Sequence, residues 1–161
     1  MPKSAKTPGT PAAPFDDFGF VEACRELHAA VDQLDSSVAK MVGISRNDLR
    51  CLNLLETEPR SPGAIAVALK LTTGSVTTLL DRLESLDLVE RRPAPHDRRA
   101  LLIYPTAKCF QEIGPVYKSF ALSLIEHANG YSRRDRDIAL ATLRDVTALC
   151  LEACPPVDGD R

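Results

Sequence analysis

A chain of 161 residues suffices for one domain, or for one domain with an extended assembly region. Its hydrophobic share of 44% and charged share of 26% are ordinary, no stretch approaches the length of a membrane span, and 5% aromatics without tryptophan argue against stacking on single-stranded nucleic acid. A net charge of −2 excludes a uniformly basic surface: ten Lys/Arg stand against eight Asp/Glu from Ser45 to Lys108, and ten against fourteen elsewhere, so any anion-binding surface is local.

Residues 1–15 are rich in Pro, Lys, Ser, Thr and Ala and hold nothing that could bury a core, so they read as a disordered tail. From Asp16 to Met41 a long helix is expected. Phe20, Cys24, Leu27, Val31, Leu34, Val38 and Met41 recur at alternating intervals of four and three, a heptad seam suited to packing on another helix. An ordinary amphipathic core helix explains the stripe almost as well. Gly43 breaks it, and residues 16–44 are taken as one dimerisation helix.

Ser45 and Asp48 have the spacing of a capping box, and they open a second helix with Leu49, Leu52 and Leu55 inward; Pro59 ends it. Ser61-Pro62 is a hydroxyl cap followed by proline at the first helical position. The third helix is expected to bury Ile65, Ala68 and Leu69. After the turn Leu71-Thr72-Thr73, a fourth helix runs to about Leu86 with Val76, Leu79, Leu80, Leu83 and Leu86 inward. Two short strands, Leu88–Arg92 and Ala100–Tyr104, flank a proline-stiffened tip, Pro93-Ala94-Pro95-His96-Asp97-Arg98-Arg99.

The fourth helix opens with small hydroxyl side chains that suit close approach to base edges in the major groove. The arginine-tipped hairpin suits phosphates or the minor groove. Helix, turn, helix, strand, tip and strand over residues 45–106 therefore read as a winged helix-turn-helix lobe that contacts double-stranded DNA. The expected contacts are Ser61, Thr72, Thr73, Gly74, Ser75, Thr77, Thr78, Arg82, Arg91, Arg92, Asp97, Arg98 and Arg99. The competing reading is a surface helix with a hydroxyl-rich start and a solvated turn.

Thr106 caps a fifth helix to about His127, with a kink at Gly114-Pro115. Asn129-Gly130 is a turn, and Ser132-x-x-Asp135 opens a sixth helix. Residues 107–154 are taken as further dimerisation helices, and 155–161 as a second disordered tail. The fold class is mainly α with a small β wing, a winged lobe plus a helical dimerisation region.

This order of elements resembles the multiple-antibiotic-resistance regulator (MarR) family of bacterial repressors from about Phe20 to Leu151. Thr73 to Glu84 resembles its recognition helix, Leu88-Val89-Glu90-Arg91-Arg92 its first wing strand, and Asp97-Arg98-Arg99 its Asp-x-Arg wing tip. The resemblance implies that Asp97 braces the wing through an arginine and that Arg99 enters the minor groove. It further implies a homodimer, with Phe20, Leu27, Val31, Ile138, Val146 and Leu149 at the interface, and a ligand-responsive repressor acting on a pseudo-palindromic operator, with a small-molecule effector as partner. The chain departs from the family where Asp87, Pro105 and Cys109 stand in place of glycine, leucine and glycine.

Five cysteines without C-x-x-C spacing, and no secretory signal, fit a reduced cytoplasmic protein. The resemblance allows oxidant sensing at Cys24, but its seam position favours a buried thiol; Cys150 and Cys154 read as packing residues. His28, His96 and His127 are far apart in sequence, so no metal or other cofactor is expected. No phosphate loop, nucleophile elbow or H-E-x-x-H motif is present, so an enzyme is not expected. The other alternative is a winged-helix protein-interaction module without DNA affinity, which the near-neutral charge favours.

Overall fold

The computed structural model describes residues 17–95 and 97–154, with only the backbone described at residues 17 and 97–99. The expected disordered tails lie outside these residues. The elements are α1 (Asp17–Val42), α2 (Arg46–Thr57), α3 (Pro62–Leu69), α4 (Thr73–Ser85), β1 (Val89–Ala94), β2 (Asp97–Pro105), α5 (Ala107–Glu112), α6 (Gly114–Asn129) and α7 (Arg133–Glu152). They fall into two compact units, one ending at Pro105 and one beginning at Thr106.

In the first unit, α1 stops where glycine allows it. Gly43 takes φ +75, and Ile44 N–H donates back to Ala39 C=O at 2.9 Å. The seam of α1 divides along its length. Val38 is buried with its neighbour Ala39, Cys24 and Leu34 are half-buried, and Phe20, Leu27, Val31 and Met41 are exposed. Among the described residues of this unit, α2 covers only the end of α1 that meets it.

Each start of α2, α3 and α4 has its hydroxyl cap. Ser45 Oγ accepts from Asp48 N–H, Ser61 Oγ from Ala64 N–H and Thr72 Oγ1 from Ser75 N–H, all at 3.2 Å. Asp48 completes the capping box by accepting from Ser45 N–H at 2.8 Å. These caps set the directions in which α2, α3 and α4 enclose one core. Leu49, Cys51, Leu52 and Leu55 of α2 meet Ile65, Ala66 and Leu69 of α3 and Val76, Leu79, Leu80 and Leu83 of α4, closed by Leu88, Val89 and Ile103 from the wing. Ala66, not Ala68, flanks the buried stripe of α3. Both alanines border the Ile65–Leu69 line, and the packing of neighbours decides between them.

Strands β1 and β2 pair antiparallel from Val89↔Pro105 to Pro93↔Leu101, with a register shift between Pro93 and Ala94 before Ala94↔Asp97. Both strands extend further toward the tip than expected. Proline costs no ladder bond on the outer side of a two-stranded sheet, so Pro93 is accommodated. Arg60 adds a bridge on the other side of β2, its C=O accepting from Ile103 N–H at 2.8 Å, and this ties the start of α3 to the wing. Asp87, between α4 and the wing, takes φ 59, the left-handed geometry for which glycine is the usual choice.

In the second unit, Thr106 Oγ1 accepts from Cys109 N–H and caps α5. The expected kink is a complete break. Pro115 cannot donate to an upstream carbonyl, so α5 ends at Glu112 and α6 begins anew at Gly114. Ser132 caps α7 by accepting from Asp135 N–H at 3.2 Å. Neither α6 nor α7 has a buried residue. Among the described residues no single helix is long and apolar enough to cross a membrane.

Candidate DNA interface

Helix α4 has two unlike faces. Its inner side is the core stripe from Val76 to Leu83, while Thr72, Thr73, Gly74, Ser75, Thr77 and Thr78 are all exposed at its entrance. A β-carbon built on Gly74 would meet nothing within 4 Å, so that position of the first turn is open. Ser61 differs: it is half-buried and its hydroxyl is occupied in capping α3.

Three of the five hydroxyl protons at this entrance already have acceptors. Thr77 Oγ1 donates to Thr73 C=O at 3.0 Å and Thr78 Oγ1 to Gly74 C=O at 3.1 Å. Thr72 Oγ1 and Ser75 Oγ share a hydrogen bond of 2.8 Å. Threonine in a helix adopts this back-bonded rotamer readily. It leaves the oxygens able to accept and the methyl groups of Thr77 and Thr78 available for apolar contact.

Arg82, Arg91 and Arg92 are each paired with an acid of the lobe. Arg82 Nε donates to Asp48 Oδ2 at 2.9 Å, and Arg82 Nη2 to Asp48 Oδ1 at 2.5 Å. Asp48 is fully buried, whereas the Arg82 side chain is 46% exposed. Burial alone would raise the Asp48 pKa, but hydrogen bonds from Arg82 and Ser45, with the nearby guanidinium charge, outweigh it and hold the carboxyl below its ordinary value. The same pairing raises Arg82.

Arg91 reaches from β1 to α4, pairing with Asp81 at 2.6 Å and also with Glu84. Arg92 pairs with Glu90, and its guanidinium lies 5.1 Å from the centre of the Tyr104 ring. Arg91 thus ties the wing to α4, whereas Arg92 pairs on the exposed side of the wing. Asp97, Arg98 and Arg99 begin β2, but their side chains lie outside the described residues, as does His96.

Composition signalled neither the burial of Asp48 nor that of Cys51. Their signal lay in spacing: on the helical arc of α2, Asp48 falls between Leu52 and Leu55, and Cys51 flanks Leu55. Burial, and then the Asp48 charge, push the Cys51 thiol up to about 12. Cys51 is therefore expected to resist alkylation at pH 8 in the native protein and to react once denaturant opens the lobe, as mass spectrometry of labelled peptides would show. Cys24 is half-buried. Cys150 and Cys154, read above as packing residues, are exposed because no described residue of their unit covers that face of α7.

Comparison with known proteins agrees with this architecture. The model of the MarR family matches residues 42–100, the span from the end of α1 to the wing. YcgE, an HTH-type transcriptional regulator of Bacillus subtilis, is 28% identical over 119 residues, covering 73% of this chain and 77% of its own length. Among solved structures, a mutant of MepR from multidrug-resistant Staphylococcus aureus superposes with a TM-score of 0.66 at 18% identity, covering 84% of this chain and 99% of the other. Streptococcus pneumoniae FabT, solved in complex with DNA, gives 0.64 at 21% identity, covering 86% and 100%. With its capped helix-turn-helix, its two-stranded wing and these relatives, the chain is similar over residues 42–100 to the MarR family of winged helix-turn-helix transcriptional regulators.

Proposed function

We infer that the protein acts as a homodimer on double-stranded DNA in the cytoplasm, repressing transcription from a pseudo-palindromic operator until a small effector releases it. The observation that carries the DNA part is the exposed entrance of α4. Six consecutive or near-consecutive small residues, from Thr72 to Thr78, stand clear above a fully packed inner face. The N–H groups of this helix start suit a phosphate, the side-chain oxygens accept from adenine or cytosine amino groups, and the methyls fit thymine. The relative solved with DNA supports the same mode of use.

The dimer part rests on apolar surface. Phe20, Leu27 and Val31 of α1 and Ile138 and Leu149 of α7 are exposed, joined by Leu122, Leu124 and Ile125 of α6. Val146 is half-buried. Such a quantity of exposed aliphatic surface on each unit marks it as an interaction surface. Two copies related by a two-fold axis would set recognition helices about one DNA turn apart, roughly 34–36 Å. An effector favours release if it binds better to a dimer whose lobes are spaced wrongly for DNA.

Arg99→Ala tests the interface. Loss of a minor-groove arginine from each lobe is expected to weaken operator binding at least about tenfold while leaving the thermal melt almost unchanged. Gel-shift titration and circular dichroism measure the two. If the dimer neutralises about eight phosphates, log affinity should fall against log salt with a slope near −7. A melt displaced as far as that of a core variant would make Arg99 structural, and no binding to random DNA at low salt would favour the protein-interaction reading.

A further inference from the structure

We propose that Asp48, which is fully buried and so exposes no atom to DNA, is a positioning residue for sequence discrimination: its two-point grip on Arg82 fixes the roll of α4 and hence where the α4 hydroxyls meet the bases. The proposal rests on the DNA reading above and adds a residue absent from the expected contacts.

The geometry is specific. Asp48 belongs to α2 and Arg82 to α4, thirty-four residues apart. The two N–H donors of one planar guanidinium meet the two oxygens of one carboxylate. A single hydrogen bond would let α4 turn about it; a bidentate pair resists rotation. The carboxylate is itself immobile, because Oδ2 also accepts from Ser45 N–H and the capping box anchors it to the first turn of α2.

Arg82 shares one stripe of α4 with Ser75 and Thr78, at intervals of three and four residues. Whatever fixes the angle of Arg82 fixes theirs. With side-chain tips about 5–6 Å from the helix axis, a roll of roughly 15° moves a surface hydroxyl by about 1.5 Å. That exceeds the tolerance of a hydrogen bond to a base edge. Contacts to phosphates, which long cations make adaptably, survive such a displacement. The clamp therefore acts on specificity rather than on general DNA affinity.

The test uses the full-length chain and two duplexes of equal length, one selected by the wild-type protein from a random-sequence pool and one random. Affinities are measured by fluorescence anisotropy at one salt concentration, well below each variant's melting temperature. Asp48→Asn puts an NH2 group against Arg82 donors, and Arg82→Lys keeps the charge but removes the planar fork. Each is expected to lower affinity for the selected duplex about tenfold or more while changing the random duplex less than about twofold. Leu55→Ala, a core change in α2, should lower the melt and preserve the ratio.

Parallel losses on both duplexes, an unchanged ratio in both clamp variants, or an equal fall of the ratio in Leu55→Ala would overturn the proposal. Should Asp48→Asn fail to fold, Arg82→Lys carries the test. A wild-type protein that selects no sequence at all overturns the DNA reading itself, which is a different result.

Discussion

Replacing Asp48 by alanine is expected to destabilise the protein by about 2–4 kcal/mol. The change removes the reciprocal half of a capping box, worth about 1 kcal/mol, and charge-assisted hydrogen bonds worth roughly 1.5–3. The carboxylate is fully buried, so no water compensates inside the site. Arg82→Ala should cost a similar amount for the opposite reason: it leaves a buried carboxylate without its counter-ion. The double variant should lose less than the sum, because each single change already destroys the pair. Urea titration of the four proteins measures this, and strict additivity would mean the two side chains act independently.

The pair also dictates an acid response. The folded state holds Asp48 below its ordinary value, so folding favours the ionised form. Its contribution is fully present above the unfolded-state pKa of about 3.9 and is lost as pH falls through the lower folded-state value. The melting temperature of the wild type should therefore drop below about pH 4 more steeply than that of Asp48→Ala. Equal slopes would show that other carboxylates govern acid unfolding.

The largest effect on DNA binding is expected from the apolar face of α7. Ile138 and Leu149 are eleven residues apart, three helical turns, and both are more than half exposed. Ile138→Glu with Leu149→Lys puts a charge at each end of that stripe without altering net charge. Lysine near a helix C-terminus suits the dipole, so α7 itself is little weakened. At micromolar concentration the double variant should sediment near the chain mass of 17.5 kDa rather than twice that. Operator affinity should fall by roughly 10²–10⁴, the factor lost when two linked half-site contacts become one. A variant that remains dimeric with unchanged affinity would move the interface to another face.

Much of the lobe was legible because its signals are local. A hydroxyl cap, a proline at the first helical turn and a left-handed glycine each act within four residues, so Ser45, Ser61-Pro62, Thr72 and Gly43 fixed element starts and stops closely. The α4 stripe from Val76 to Leu83 needed only helical periodicity. The resemblance to the family over residues 61–106 then turned a set of elements into one lobe. It also flagged Asp87 as standing where the family has glycine, and the backbone there is left-handed.

What sequence alone could not supply depends on which distant groups come to lie together. Arg82, Arg91 and Arg92 are equally plausible phosphate ligands in a list of residues, yet the folded lobe places acids from other elements beside Arg82 and Arg91, while Arg92 pairs with Glu90 of its own strand. Pairing between positions thirty-four residues apart has no periodicity to betray it. Ala66 was chosen over Ala68 by neighbouring helices, and Pro115 converted a kink into a break. Sequence determined where most helices begin, which faces are apolar and which family the chain resembles. Tertiary structure decided which charges are spent within the lobe and which carboxylate is buried, because electrostatic pairing depends on separation in space.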